Sequence, residues 1–164
     1  MPKTKTHIKI NITLAMPLGV AILFFATKSN ITIISIFLLS LLYNTFVLNP
    51  DLDLARYIKP LSLRGFLYFP FIPYSWLFRH RGLSHSLILG TITRVIYILL
   101  LIFFGLYLWN VFNYASIGIR EISSIYLKHL LWFIKSNKDL LLTVFASFFY
   151  GDLWHIVLDK YNTN

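Results

Sequence analysis

Four long stretches of this chain are nearly free of charge, and its polar residues gather at their ends. Residues 12–27 and 31–48 carry no charged side chain. Residues 87–109 carry Arg94 alone, and residues 140–158 carry Asp152 and His155. At about 1.5 Å of rise per residue, such runs approach or reach the about 30 Å of a bilayer's hydrocarbon core. A polar lead-in from His7 completes the first. Pro17 predicts a kink there, because proline lacks the N–H that the helix needs. Lys28-Ser29-Asn30 reads as a tight connection. Asn49-Pro50 stops the second run, since proline disfavours helix in the residue before it.

Two further segments differ in kind. Residues 50–86 hold four of the six prolines with Asp51, Asp53, Arg56, Lys59, Arg64, Arg79 and Arg81. Within them, residues 65–76 are aromatic and broken by proline, too short to span, and predict an interfacial or re-entrant segment. In the connector 110–139, Glu121, Ser124, Lys128 and Lys135 recur at roughly helical spacing, as on a helix lying at a membrane surface. The expected fold is all-α: one domain over residues 1–164, an integral membrane bundle of about four alternating spans.

Composition supports that reading. Hydrophobic residues make up 57% of 164 and mean hydropathy is +0.70, too apolar for a water-soluble globule of this size. The absence of cysteine excludes disulfides, thiolate metal sites and cysteine nucleophiles. A net charge of +9 suits loops facing anionic lipid better than nucleic acid, and no nucleic-acid partner is expected. Lys3, Lys5 and Lys9 precede an apolar run as in a signal peptide, but His7, Asn11, Pro17 and Gly19 interrupt it and no cleavage is expected.

The candidate chemistry lies in four polar clusters: His7 with Asn11, Asp51 with Asp53, the run Arg79-His80-Arg81-Gly82-Leu83-Ser84-His85-Ser86, and Asp152 with His155 and Asp159. In an up-down-up-down bundle all four fall at one end. His7 and Asn11, and His155 and Asp159, are four apart and share a helix face, and Asp152, three before His155, is expected to share it too. Asp51 and Asp53 flank Leu52 in what reads as an extended turn, where neighbouring carboxylates repel unless a cation intervenes. The plain alternatives are helix caps at Ser84, Ser86 or Asp51 and a solvated terminal His7. His129 lies away from this end and is given no role. Arg94 either reaches an anionic substrate or pairs with Asp152.

Three motifs carry a resemblance. Asn-Pro-Asp-Leu-Asp (49–53), His-Arg-Gly-Leu-Ser-His-Ser (80–86) and Gly-Asp-Leu-Trp-His-Ile-Val-Leu-Asp (151–159) resemble signatures of the membrane-bound metal-dependent hydrolases. These include the LexA-regulated family and a smaller branch of metal-binding proteins of unknown function. More distantly they are similar to the zinc-dependent phospholipase C group. The resemblance implies a metal-dependent hydrolase of phosphoester bonds in the inner cell membrane. His7, Asp51, Asp53, His80, His85, Asp152, His155 and Asp159 form the pool of ligands. The mixed nitrogen and oxygen set suits zinc first, then manganese or iron. Arg79 and Arg81 would hold a phosphate-bearing substrate, aided by Asn11 and Arg94. Arg81, Asp53 and Asp159 are the catalytic candidates, either carboxylate orienting a histidine or taking a proton. Membrane lipid is the expected partner.

Two other functions compete. One is metal binding without catalysis. The other is a metal-free phosphatidic-acid phosphatase, whose last motif His155-x-x-x-Asp159 resembles, although its other elements are missing. A Ser84 or Ser86 hydrolase lacks the Gly-x-Ser-x-Gly elbow. For sidedness, Lys3, Lys5, Lys9, Arg56, Lys59, Arg64, Arg79, Arg81 and Lys160 belong to the end bearing the clusters. Lys28, Arg120, Lys128, Lys135 and Lys138 belong to the other. Nine cations against five place the termini and the site in the cytoplasm.

Overall fold

The computed structural model describes residues 4–59, 61–78, 82, 85–114 and 118–161. These residues are all-helical outside the turns, and four helices are long and apolar enough to cross a membrane: Thr6–Ala26, Ile31–Tyr57, Leu87–Asn113 and Lys138–Tyr161. The first begins with α1 (Thr4–Ile10), widens into a π-helical turn at Asn11–Ala15 and continues as α2 (Met16–Ala26). The π turn ends two residues before Pro17. A wider turn relieves the clash between the proline ring and the carbonyl four residues back, so the expected kink takes the form of a bulge.

The connection after α2 is tight because Lys28 and Ser29 adopt left-handed backbone, with φ of 52° and 64°. Asn30 then caps α3 (Ile31–Tyr43), its side-chain oxygen accepting from the backbone N–H groups of Thr32 and Ile33. Within the second long stretch, the run that begins with α3 also ends in a π turn, Asn44–Leu48. Asn49 breaks it in extended backbone, and Pro50 starts a 3₁₀ helix, Pro50–Tyr57. Asp51 and Asp53 therefore lie on a 3₁₀ helix and not in the expected extended turn. Proline at the first helical position, with its φ already set, is the local reason.

The proline-rich segment folds into short pieces: α4 (Leu63–Tyr68), a 3₁₀ turn at Phe69–Phe71 and α5 (Ile72–Leu77). They wrap the Pro50–Tyr57 helix, burying Leu52, Ala55, Tyr68, Phe71 and Tyr74 in a core that also takes in Val47, Leu48 and Phe148. The third long helix, α6 (Leu87–Tyr114), is longer than the apolar run. The connector forms α7 (Ile119–Ser136), and α8 (Lys138–Tyr161) completes the chain's elements.

The most extensive helix packing is α3 on α8. Gly151 allows it: a Cβ there would stand 2.5 Å from Asn44 Nδ2 and 3.0 Å from Leu41 Cδ1. Outward faces of the long helices are apolar, with Phe25 and Phe112 each 82% exposed, a surface that water does not favour.

Candidate metal centre

Six of the expected residues converge at one end of the bundle. His155 and Asp159 rise from one face of α8, and Nε2 of His155 lies 3.6 Å from Oδ2 of Asp159. His85, just before α6, places its Nε2 3.7 Å from that same Oδ2. Asp51 closes a ring: its Oδ1 is 3.8 Å from His85 Nε2 and 3.5 Å from His155 Nε2. Nitrogen and oxygen donors thus alternate around a gap.

The four edges, 3.5–3.8 Å, lie at and just beyond the spacing of a zinc coordination sphere. Ligand atoms about 2.0–2.2 Å from a zinc ion stand about 3.3–3.6 Å apart at the tetrahedral angle. Hydrogen-bonded pairs would be closer, at about 2.7–3.2 Å. His155 Nε2 is buried and has no hydrogen-bond partner among the described residues, yet it faces two carboxylate oxygens. A shared cation explains both the spacing and the unsatisfied nitrogen. Two carboxylates facing one partly buried gap repel each other, and a divalent ion between them offsets that repulsion. Two overlapping triads have donor atoms mutually within 4.8 Å, Asp51–His85–His155 and His7–His155–Asp159.

The neighbours of the ring are organised around it. The 3₁₀ twist spreads Asp51 and Asp53 so that they meet opposite edges of one imidazole. Asp51 faces Nε2 of His85, and the fully buried Asp53 carboxylate lies 3.5 Å from Nδ1. An extended strand would have pointed both the same way. A carboxylate behind a ligating imidazole fixes its orientation and raises its basicity. His7 Nε2 stands 3.2 Å from the other oxygen of Asp159, and the His7 ring stacks on His155 at 4.1 Å. Asn11, one turn on and buried, donates to Thr45 Oγ1 at 3.2 Å and joins the two π turns.

Asp152 and Arg94 stand apart from this ring. Oδ1 of Asp152 accepts from Asn44 Nδ2 and from Arg94 Nη1, both at 3.1 Å. Its Oδ2 accepts from Thr91 and from Arg94 Nη2. Four donors occupy the carboxylate, and Asp152 belongs to neither triad. Arg94 also donates to the backbone carbonyl of Leu48, at the end of the π turn. Of the two roles open to Arg94, the structure shows the pairing with Asp152. Asn44, Thr45 and Thr91 escaped the sequence reading. The available signal was spacing: Thr91 and Arg94 are three apart on α6, on one face.

Arg79, His80 and Arg81 lie outside the described residues. His129 is exposed on α7 and belongs to neither triad. An apolar crevice of about 750 Å³, lined by Leu99, Phe133, Leu141 and Phe145 among others, lies between α6, α7 and α8 and includes none of the ring residues.

A helical fold with four long apolar helices, and a His/carboxylate ring of ionic size at one end, defines a metal-binding helical protein. The chain belongs to the family described as "Uncharacterized metal-binding protein (DUF2227)", whose model matches residues 2–164. An uncharacterized protein of Aquifex aeolicus (strain VF5) is 45% identical over 58 residues, which is 35% of this chain and 40% of that protein. The chain thus matches less than half the length of that relative. No solved structure matches.

Proposed function

We propose that the chain is a membrane-embedded metalloprotein that hydrolyses phosphoester bonds. In this reading Asp51, His85, His155 and Asp159 hold one divalent ion, zinc before manganese or iron. The observation that carries the metal reading is the ring itself, four alternating donors with edges of 3.5–3.8 Å. Its asymmetric burial supports catalysis. The side chains of Asp51, Asp159 and His85 are 16, 15 and 11% exposed, while Asp53 and His155 are sealed behind them. A site that keeps one open face can take a water or substrate, whereas a structural site is closed.

When bound, a divalent ion lowers the pKa of a bound water and polarises a phosphoryl oxygen. The chain's own residues supply the rest. Asp53 orients His85, and His7 holds the outer oxygen of Asp159. Arg81 and Arg79, four and six residues before His85 in sequence, grip the substrate anion. The family's description names metal binding and no reaction. The four long helices span the cell membrane, with the site and both ends on the cytoplasmic side.

Elemental analysis of purified protein, followed by turnover of phosphomonoesters, phosphodiesters and anionic phospholipids with zinc and then manganese, tests the proposal. The expected result is one bound ion and hydrolysis of one substrate class. Arg81→Ala is expected to keep the metal and lose about tenfold or more in rate, the loss of a charge-assisted contact of about 1.5–3 kcal/mol. Metal without turnover makes the protein a noncatalytic metal binder. Purification without metal, and indifference to chelator, favours the metal-free phosphatase.

A further inference from the structure

The short helices between Asp53 and His85 have two apolar faces. Their inner face, with Tyr68, Phe71 and Tyr74, is buried against the Pro50–Tyr57 helix. Their outward residues are apolar as well: Phe66, Phe69, Trp76 and Leu77, with Tyr57 on the adjoining 3₁₀ helix, are 67–75% exposed. Exposed large apolar side chains in such number mark a surface that meets a membrane or a partner. Nor can these pieces cross a bilayer. At six residues each, α4 and α5 extend about 9 Å, against about 30 Å of hydrocarbon.

Charge identifies what covers the patch. Residues 54–78 contain Arg56, Lys59 and Arg64 and no acidic residue. Arg56 and Lys59 are exposed, and the Arg56 guanidinium lies 4.7 Å over the ring of Tyr57. Aromatic rings capped by cations are the composition of a headgroup layer, where the ring meets acyl chains and the cation meets phosphate. A second copy fits less well, since a two-fold contact through this face would set Arg56 and Lys59 against their own kind.

The same 3₁₀ helix that turns Arg56 and Tyr57 outward carries Asp51 into the ring. Tyr57 and Asp51 are therefore carried on one helix, six residues apart. We propose that this cap lies in the headgroup layer of an anionic membrane and presents the metal ring to the phosphate of a lipid. The ligand is a membrane amphiphile and not a soluble ester. The lipid-phosphate part rests on the metal reading above; the placement of the cap does not.

The chain has no cysteine, so Phe66→Cys and Trp76→Cys can each carry a single nitroxide in nanodiscs of phosphatidylglycerol. The expected result is collision with dissolved oxygen and loss of collision with an aqueous nickel chelate. Labels as open to the chelate as free nitroxide overturn the proposal. So do labels shielded from both reagents, which report a protein partner or a second copy. In a second measurement, Mn²⁺ is bound to the protein and its coupling to ³¹P is read by electron-nuclear double resonance. Coupling to phosphatidylglycerol phosphorus, lost in Phe66→Glu/Phe69→Glu at unchanged Mn²⁺ stoichiometry, supports a lipid ligand. Coupling seen only after inorganic phosphate is added to lipid-free detergent micelles overturns it. If Mn²⁺ does not bind, the metal reading fails and the lipid-phosphate part with it, while the label depths still decide the cap.

Discussion

Arg94 and Asp152 grip each other at two points inside the bundle, Nη1 standing 3.1 Å from Oδ1 while Nη2 closes on Oδ2. The pair is buried and joins three elements: α6 through Arg94, α8 through Asp152, and the end of the second long helix through the Leu48 carbonyl. It holds the helix that carries His155 beside the one that leads to Asp51. Removing one partner leaves the other charge buried. Asp152→Ala is expected to cost about 3–5 kcal/mol, read as a lowered unfolding temperature. Arg94→Met with Asp152→Leu removes both charges and recovers most of that loss. The double variant still binds metal. Loss of metal from a folded double variant would place Asp152 among the ligands.

Asp53 is expected to act on metal affinity through His85. Asp53→Asn keeps the shape but weakens the acceptor behind Nδ1. The metal dissociation constant rises about 10–100-fold, with the stoichiometry unchanged at saturation. Competition with a chromogenic chelator measures it. An unchanged constant would remove Asp53 from the orienting role.

Metal and stability are linked, because the ring draws on the 3₁₀ helix, the entry to α6 and the end of α8. Free metal at about 100 times its dissociation constant stabilises the fold by about 2.7 kcal/mol, and chelation reverses this. His85→Ala and His155→Ala each abolish the metal-dependent shift in unfolding temperature. His129→Ala keeps it. Equal behaviour of all three variants would put the ion elsewhere.

Two glycines separate packing from propensity. Gly151→Ala drives a methyl group into Asn44 and Leu41 and is expected to destabilise by about 1–3 kcal/mol. Gly105→Ala meets nothing within 4 Å and gains about 0.5–1 kcal/mol from helix propensity. Thermal unfolding in one detergent compares them. A neutral Gly151→Ala would mean that α3 and α8 separate readily.

Sidedness is read with single cysteines at Ser62 and Ser136, labelled by an impermeant reagent in intact cells. The excess of cations at the ring's end predicts labelling of Ser136→Cys and protection of Ser62→Cys. The opposite pattern reverses the topology.

The long helices, their order and the gathering of polar residues at their ends were legible in the sequence, because long helices with apolar outward faces leave long uncharged runs. So was the sharing of one face by His155 and Asp159, since helical spacing alone determines it. The form of the breaks was not. Whether Pro17 kinks a helix or widens it into a π turn depends on what packs beside it. Whether Asp51 and Asp53 point together or grip opposite edges of His85 depends on the 3₁₀ twist, which the wrapping of α4 and α5 holds in place. The sharpest division falls at the carboxylates. Asp51, Asp53, Asp152 and Asp159 are chemically alike along the chain. Only tertiary packing sends Asp152 to Arg94, Thr91 and Asn44 and turns Asp51 and Asp159 toward two histidines. Apart from the Asp159–His155 pair, these carboxylates' partners are decided by what other elements bring within reach, which spacing within one helix does not encode.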